Sequence, residues 1–198
     1  MTGAQRLFAS IALALALVMA LAACSSPDPA LYVMAPVSGA AQDAGPKVVL
    51  LKQIGLARYL DRSQIVRSSE NYRLDVMSND WWGESLSSML SRILVEELSQ
   101  RLPQSTVLSD SGSVSSPPDA AIELNVQRLD QDAAGNLVLH AQAGVNFRGR
   151  GAPALRSFLI TVPVSGAGVS GEVAAISAAV GQLADGLASM LLAGSPGA

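Results

Sequence analysis

Ala121-Ile-Glu-Leu-Asn-Val-Gln-Arg-Leu129 is the stretch whose reading decides the fold. Ile122, Leu124 and Val126 fall on one face of an extended chain and Glu123, Asn125 and Gln127 on the other, the period-two pattern of a half-buried strand. Asp132-Ala-Ala-Gly-Asn136 has turn chemistry, and Leu137, Leu139, Ala141, Ala143 and Val145 then repeat the alternation, predicting a hairpin with one wet face. Downstream, Arg156 to Val164 predicts another strand, with Phe158, Ile160 and Val162 on one face and Pro163 marking its end or a sheet edge. From Ser170 to Leu192 the period changes to that of a helix: Val173, Ile176, Val180, Leu183, Leu187 and Leu191 form a stripe flanked by Ala and Gly.

Upstream, Gly83 to Leu102 carries the strongest helical period. Leu86, Met89, Leu90, Ile93, Leu94 and Leu98 share one face, with Ser87, Ser88, Ser91, Arg92 and Glu96 opposite and Pro103 as the stop. Asn79-Asp80 offers its cap, and Arg92 and Glu96 stand one turn apart as a candidate ion pair. Val48 to Leu56 is a near-continuous apolar run, as expected of a strand buried on both faces. Further strands are predicted over 72–77 and 106–108, and a loop over 109–119. The elements define an α+β fold: two layers, a mostly antiparallel or mixed sheet, and two main helices packed on one face.

The first residues differ in character from the rest. Arg6 supplies positive charge, Leu7 to Leu21 is apolar, and Leu21-Ala-Ala-Cys24 follows with small residues before the only cysteine. This is a secretory leader by pattern, and the run is short for a spanning helix. A lone thiol in an exported chain has no internal disulfide partner. The arrangement resembles the lipobox of bacterial lipoproteins, in which Cys24 would become the acylated N-terminus. Ser25 rather than Asp after it suggests, by the same resemblance, sorting to the outer membrane. Stable anchoring takes more than one acyl chain, each buried CH₂ contributing about 0.8 kcal/mol.

Three segments follow: residues 1–23 as leader, 24–47 as lipidated N-terminus and Pro/Ser/Gly/Ala-rich tether interrupted by a short strand at Leu31 to Met34, and 48–198 as one α+β domain. Without the leader, the chain carries 12 basic and 16 acidic side chains, a formal charge of −4. No clustered Lys/Arg footprint for nucleic acid stands out in the sequence.

Catalytic and metal motifs are thin. Gly166-Ala-Gly168-Val-Ser-Gly171 matches G-x-G-x-x-G between a strand and a helix, but the chain ends after that helix, without the second parallel strand and distal acid of a dinucleotide unit. A flexible connector is the favoured reading. His140 is the only histidine and is placed on the polar face of the hairpin; no G-x-S-x-G elbow is present. Glu84, Glu96 and Glu97 read as helix-surface charges, and the other carboxylates as scattered surface groups with no metal spacing. Trp81-Trp82 stands out among few aromatics: either one packs inside and one lies outside, or the pair contacts a partner or lipid.

Tyr59-Leu-Asp-Arg-Ser-Gln-Ile-Val66, followed by Trp82-Gly-Glu-Ser-Leu86 at a helix start, resembles the PqiC/YmbA-type lipoproteins, auxiliary components of transporters with a mammalian-cell-entry (MCE) subunit. Ser63 replaces the family's proline and Gly83 its alanine. The resemblance implies an outer-membrane lipoprotein facing the periplasm, without catalysis or cofactor of its own. Its implied partners are an MCE-domain protein, the membrane through the lipid anchor, a phospholipid, and further copies of itself in a ring. Carried over residue by residue, Cys24 is the lipid attachment site, and Tyr59, Leu60, Asp61, Arg62, Gln64, Ile65 and Trp82 form a motif that either binds a partner or braces the fold. Two alternatives stay open: a periplasmic lipid or peptidoglycan hydrolase using Glu84, Asp61 or His140, and a purely structural envelope lipoprotein.

Overall fold

The computed structural model describes residues 28–114 and 116–194; the leader and Cys24 lie outside the described residues. Among the described residues, nine strands form a mixed sheet with two helices against one face: β1 Ala30–Tyr32, β2 Val48–Leu51, β3 Gly55–Leu56, β4 Gln64–Ser68, β5 Asp75–Trp82, α1 Leu86–Arg101, β6 Thr106–Ser109, β7 Ala120–Gln131, β8 Asn136–Phe147, β9 Ala154–Pro163 and α2 Gly168–Ala193. The α+β architecture is the one the sequence predicts.

The spine is β7. One edge pairs antiparallel with β8 along its whole length, and β8 pairs with β9. The other edge is tracked in parallel by the chain from Val49 opposite Ala120 to Leu56 opposite Val126, and regained only at Ser68 opposite Gln131. Between these points the chain loops out and returns as β4, which pairs with β5, which pairs with β1. The sheet therefore forks along one edge of β7: β2 and β6 at its start, a β4-β5-β1 flap at its end.

Beneath the sheet, the predicted α1 stripe is buried from Leu86 to Leu98, and α2 buries Val173, Ile176, Val180, Leu183, Leu187 and Leu191 in the same core. Among the described helices, α2 is the one long and apolar enough to cross a membrane, yet 67% of that window is buried within the domain. Sheet and α1 account for its apolar surface.

Several expectations need correction. Val48 to Leu56 is two short strands, with Val49 and Leu51 buried and Lys52 exposed. Tyr72 cannot start a strand: Asn71 and Tyr72 have φ of 55° and 61°, a left-handed turn, and β5 begins at Asp75. Asn79 and Asp80 belong to β5, held on both sides by β4 and β1, so the cap of α1 is Ser85, whose hydroxyl accepts from the Ser88 amide. Arg92 pairs not with Glu96 but with Glu84, at 2.6 Å. The predicted tether is the largest departure. Of residues 24–47, those from 30 on are built into the domain: β1 joins the sheet, Met34 is 3% exposed, and the Gln42 amide donates to the Arg101 carbonyl.

Candidate functional site

The segment from Tyr59 to Val66 is the excursion at which the sheet forks, and its side chains close the fork. Leu60, Ile65 and Val66 are buried in the core. Tyr59 Oη donates to Asp130 Oδ2 at 2.7 Å; Arg128 Nε donates to Asp130 Oδ1 at 2.9 Å, and Arg128 Nη2 to Glu70 Oε1 at 2.6 Å. Asp130 is fully buried by these partners. Burial, then the hydrogen bond to Asp130, pushes the Tyr59 hydroxyl well above its ordinary range, so it stays a donor. A buried carboxylate held by a guanidinium and a phenol is costly to break, because removing one partner leaves charge or donor unpaired.

The rest of the motif splits by environment. Arg62 Nε donates to the Tyr59 carbonyl at 2.8 Å, closing the turn, and the Trp82 amide donates to the Ser63 carbonyl at 2.7 Å, tying the turn to β5. Gln64 sits opposite Trp81 in the β4–β5 ladder. Asp61 is exposed and its neighbour Arg62 half-buried. Trp82 is 7% exposed while Trp81 stays partly exposed, its Nε1 donating to the Ser78 carbonyl, so the tryptophans divide inside and outside.

A second constellation was not legible as such. The segment after β1 crosses α1 and α2 as a strap. The Ala35 amide donates to Ser177 Oγ at 3.2 Å and the Val37 amide to Glu97 Oε1 at 2.7 Å. Arg101, 1% exposed, donates to Asp185 Oδ1 at 2.6 Å and to the carbonyls of Val37, Glu97 and Gly181. Gly39 and Gly181 make the crossing feasible: a Cβ on Gly39 would lie 2.4 Å from the Arg101 guanidinium, and one on Gly181 2.9 Å from Val37 Cβ. Glu97 is thus no surface charge but fully buried, and burial, against the Val37 amide and Arg101, pushes its carboxyl up to about 7. Glu172 in α2 is likewise 2% exposed, 3.9 Å from Arg67, and burial raises it to about 7. One oxygen of each carboxyl has no hydrogen-bond partner.

The structure does not assemble the hydrolase candidates. Asp61 lies in the turn before β4, Glu84 is held by Arg92 ahead of α1, and His140 sits in the middle of β8 opposite Arg128 and Leu159. Among the described residues, no hydrogen bond or ion pair joins any two of them, and no group of three His, Cys, Asp or Glu is placed to hold a metal. The G-x-G-x-x-G stretch is a turn: Gly166 and Gly168 have φ of 101° and 71°, and a Cβ on Gly171 would lie 2.8 Å from the Gly166 carbonyl oxygen. Its glycines serve a tight entry into α2 from a strand that is antiparallel to its neighbour.

The family follows. The chain belongs to the ABC-type transport auxiliary lipoprotein components, whose family model matches residues 31–188. Two crystal structures share the fold. An uncharacterized protein aligns with a TM-score of 0.69 at 18% identity, over 82% of this chain and 98% of its own. A Xanthomonas campestris protein of the DUF330 family aligns at 0.68 and 20%, over 82% and 94%. No curated protein matches the chain in sequence. The matched span starts inside β1, so the strap between β1 and β2 falls within the family domain.

Proposed function

We propose that this chain is the outer-membrane accessory lipoprotein of an MCE-type intermembrane lipid transport system, facing the periplasm and contributing to envelope integrity by binding an MCE-domain partner without turning over a substrate. The observation that carries the reading is the family match over nearly all of the folded domain, behind a lipobox-like Leu21-Ala-Ala-Cys24. In this reading residues 1–23 are removed and Cys24 is acylated. The chain between Cys24 and β1, at no more than about 3.5 Å per residue, would hold the domain within roughly 20 Å of the lipid surface. The Tyr59–Val66 motif braces the sheet fork: of its members, Leu60 and Ile65 are core and Tyr59 is tied to Asp130.

The test is purification of the intact protein from gently solubilised envelopes, wild type beside Cys24→Ala. Recovery of an MCE-domain protein with the wild type, and release of the Cys24→Ala chain from the outer-membrane fraction, is the expected result. Absence of such a partner even after crosslinking rejects the transport reading; unchanged membrane association of the variant rejects the anchor.

A further inference from the structure

One end of the molecule is basic although the chain is acidic overall. The β8–β9 turn brings Arg148, Arg150 and Arg156 together, and Lys47 lines the same end. Arg148 is taken up by the Pro117 and Pro118 carbonyls and Asp119. Arg150 and Arg156 have no ion pair among the described residues; each lies over an aromatic ring, Arg150 at 5.2 Å from the Phe147 centroid and Arg156 at 4.8 Å from that of Phe158. A guanidinium stacked this way is held in place with its N–H fork still available to a carboxylate.

Three grooves meet at Arg156: one of about 520 Å³ lies past Gln142 and Leu155, and the other two lie against α2. Of these two, one, of about 340 Å³, runs between the turn and the end of α2 over Phe147 and Met190; the other, of about 410 Å³, continues between β9 and α2 past Gln182 and Ser189. Both lie along β9, which pairs with β8 and, among the described residues, has no partner on its outer edge. Ten residues of open edge are a template for another strand, normally blunted by charge, proline or a bulge. Here the ladder with β8 is continuous, Pro163 stands at the far end, and Leu155 and Leu159, on the face opposite Arg156 and Phe158, are 77% and 74% exposed.

Strand directions say which way this edge faces. β4 is parallel to β7, β5 antiparallel to β4, and β1 parallel to β5, so β1 runs opposite to β7 and the chain enters it from the β7 C-terminal side. The basic turn lies at the other side, where Phe147 pairs with Ala120. β7 spans about 40 Å, so the basic turn lies at the end opposite the one from which the chain enters β1.

We propose that the open edge of β9, with the grooves that meet at Arg156, docks an extended acidic segment of the transporter partner, added to the sheet as a strand with carboxylates on Arg150 and Arg156. This rests on the transport-accessory reading and names the partner surface. An anionic headgroup would use the arginines and leave the edge and both leucines unused; an extended peptide uses all three, with main-chain bonds for affinity and alternate side chains for specificity.

The test follows amide exchange across 154–163 in the full protein with a synthetic alternating Glu–Val peptide, an alternating Lys–Val control, and phosphatidylglycerol vesicles. The acidic peptide alone is expected to slow exchange in β9, and Arg150→Glu/Arg156→Glu to weaken it at least about tenfold, the equivalent of one charge-assisted bond. Both residues are exposed, and circular dichroism checks the variant's fold. The same variant is then carried through the envelope purification, where loss of the partner is expected. Protection by the vesicles instead of the peptide overturns the proposal, as does β9 already protected in a self-associated free protein. Undiminished recovery of the partner with the folded variant overturns it while the transport reading stands. If the wild type recovers no partner, that reading fails and the partner assignment with it, whatever the peptide does.

Discussion

Glu97 and Glu172 make the stability of this protein depend on pH in an unusual direction. In most domains, paired carboxylates titrate below their ordinary values and acid destabilises the fold. Here burial outweighs every favourable neighbour. Glu97 feels Arg101 and the Val37 amide on one side and Asp185 and Glu96 on the other; Glu172 feels Arg67 against Asp75, Asp130 and Asp80. Each carboxyl is raised from about 4.5 to about 7 in the folded protein. Between those values the folded chain holds a proton that the unfolded chain has released, so unfolding stability falls as pH rises. The slope is about 1.4 kcal/mol per pH unit for each group, and the loss across the window reaches at most roughly 3 kcal/mol each. The perturbing groups do not overlap, so the two effects should add. Urea denaturation at constant ionic strength from about pH 5 to 8, with linear extrapolation, measures this. Wild type should be most stable near pH 5. Glu97→Gln keeps the shape and removes the charge, so it should flatten half the slope, exceed wild type at pH 8 and lie within about 1 kcal/mol of it at pH 5. Glu172→Gln should do the same, and the double variant should be nearly flat. A wild-type stability that is constant or rises with pH, or a double variant that retains the slope, refutes the reasoning.

Three other perturbations test the packing. Tyr59→Phe removes one partner of the buried Asp130 and should cost about 1–3 kcal/mol; Asp130→Ala takes the acceptor from both the Tyr59 hydroxyl and Arg128 Nε, while Glu70 still holds Arg128, and should cost about 2–3 kcal/mol in the same denaturation assay. Gly39→Val drives a side chain into the Arg101 guanidinium and should raise amide exchange across 34–42 while costing about 3 kcal/mol or more, since a buried charge loses its seat; unchanged exchange there would show that the strap is not held by Arg101. Tyr72→Gly should stabilise by about 1 kcal/mol, because Tyr72 is exposed and held at φ 61°, read as an upward shift of the denaturation midpoint.

The parts of the fold legible in the sequence are those in which one residue pattern meets one environment. Both helix stripes and the β7–β8 hairpin face a single core, so burial alone sets their periodicity. Even the β7 irregularity is written there: Ile122, Leu124 and Val126 alternate, then Leu129 is out of phase, and the ladder shifts register between Val126 and Arg128, as a bulge requires. The fork was hidden because β2, β3 and β4 share one edge of β7 through pairings of one to three residues, too short to leave a period. The strap was hidden for a different reason. Its Gly, Ala and Pro are read as tether residues by composition, whereas the close approach to α1 and α2 demands small residues at Gly39 and lets backbone amides supply the polarity. Glu97 and Arg101 follow Ile93, Leu94 and Leu98 at helical spacing, so their place on the buried face was available from the same stripe and was masked by their charge.

That outcome bears on where a partner binds. In the motif that carries the family resemblance, the apolar members are core and the tyrosine is tied to a buried aspartate; of its charged side chains, Asp61 is exposed and Arg62 closes the local turn. Substituting Tyr59 or Leu60 would weaken partner recovery by unfolding the flap, so such a loss would say little about contact. An interface needs side chains that folding leaves unused: Arg150, Arg156, Leu155 and Leu159, together with a strand edge unpaired among the described residues, meet that condition away from the end at which the chain enters β1. A charge reversal there gives up only the two arginine–ring stacks, about 0.5–1 kcal/mol each, so stability and binding separate: the Arg150→Glu/Arg156→Glu chain should lie within about 2 kcal/mol of wild type in urea, stay folded, and lose what it binds.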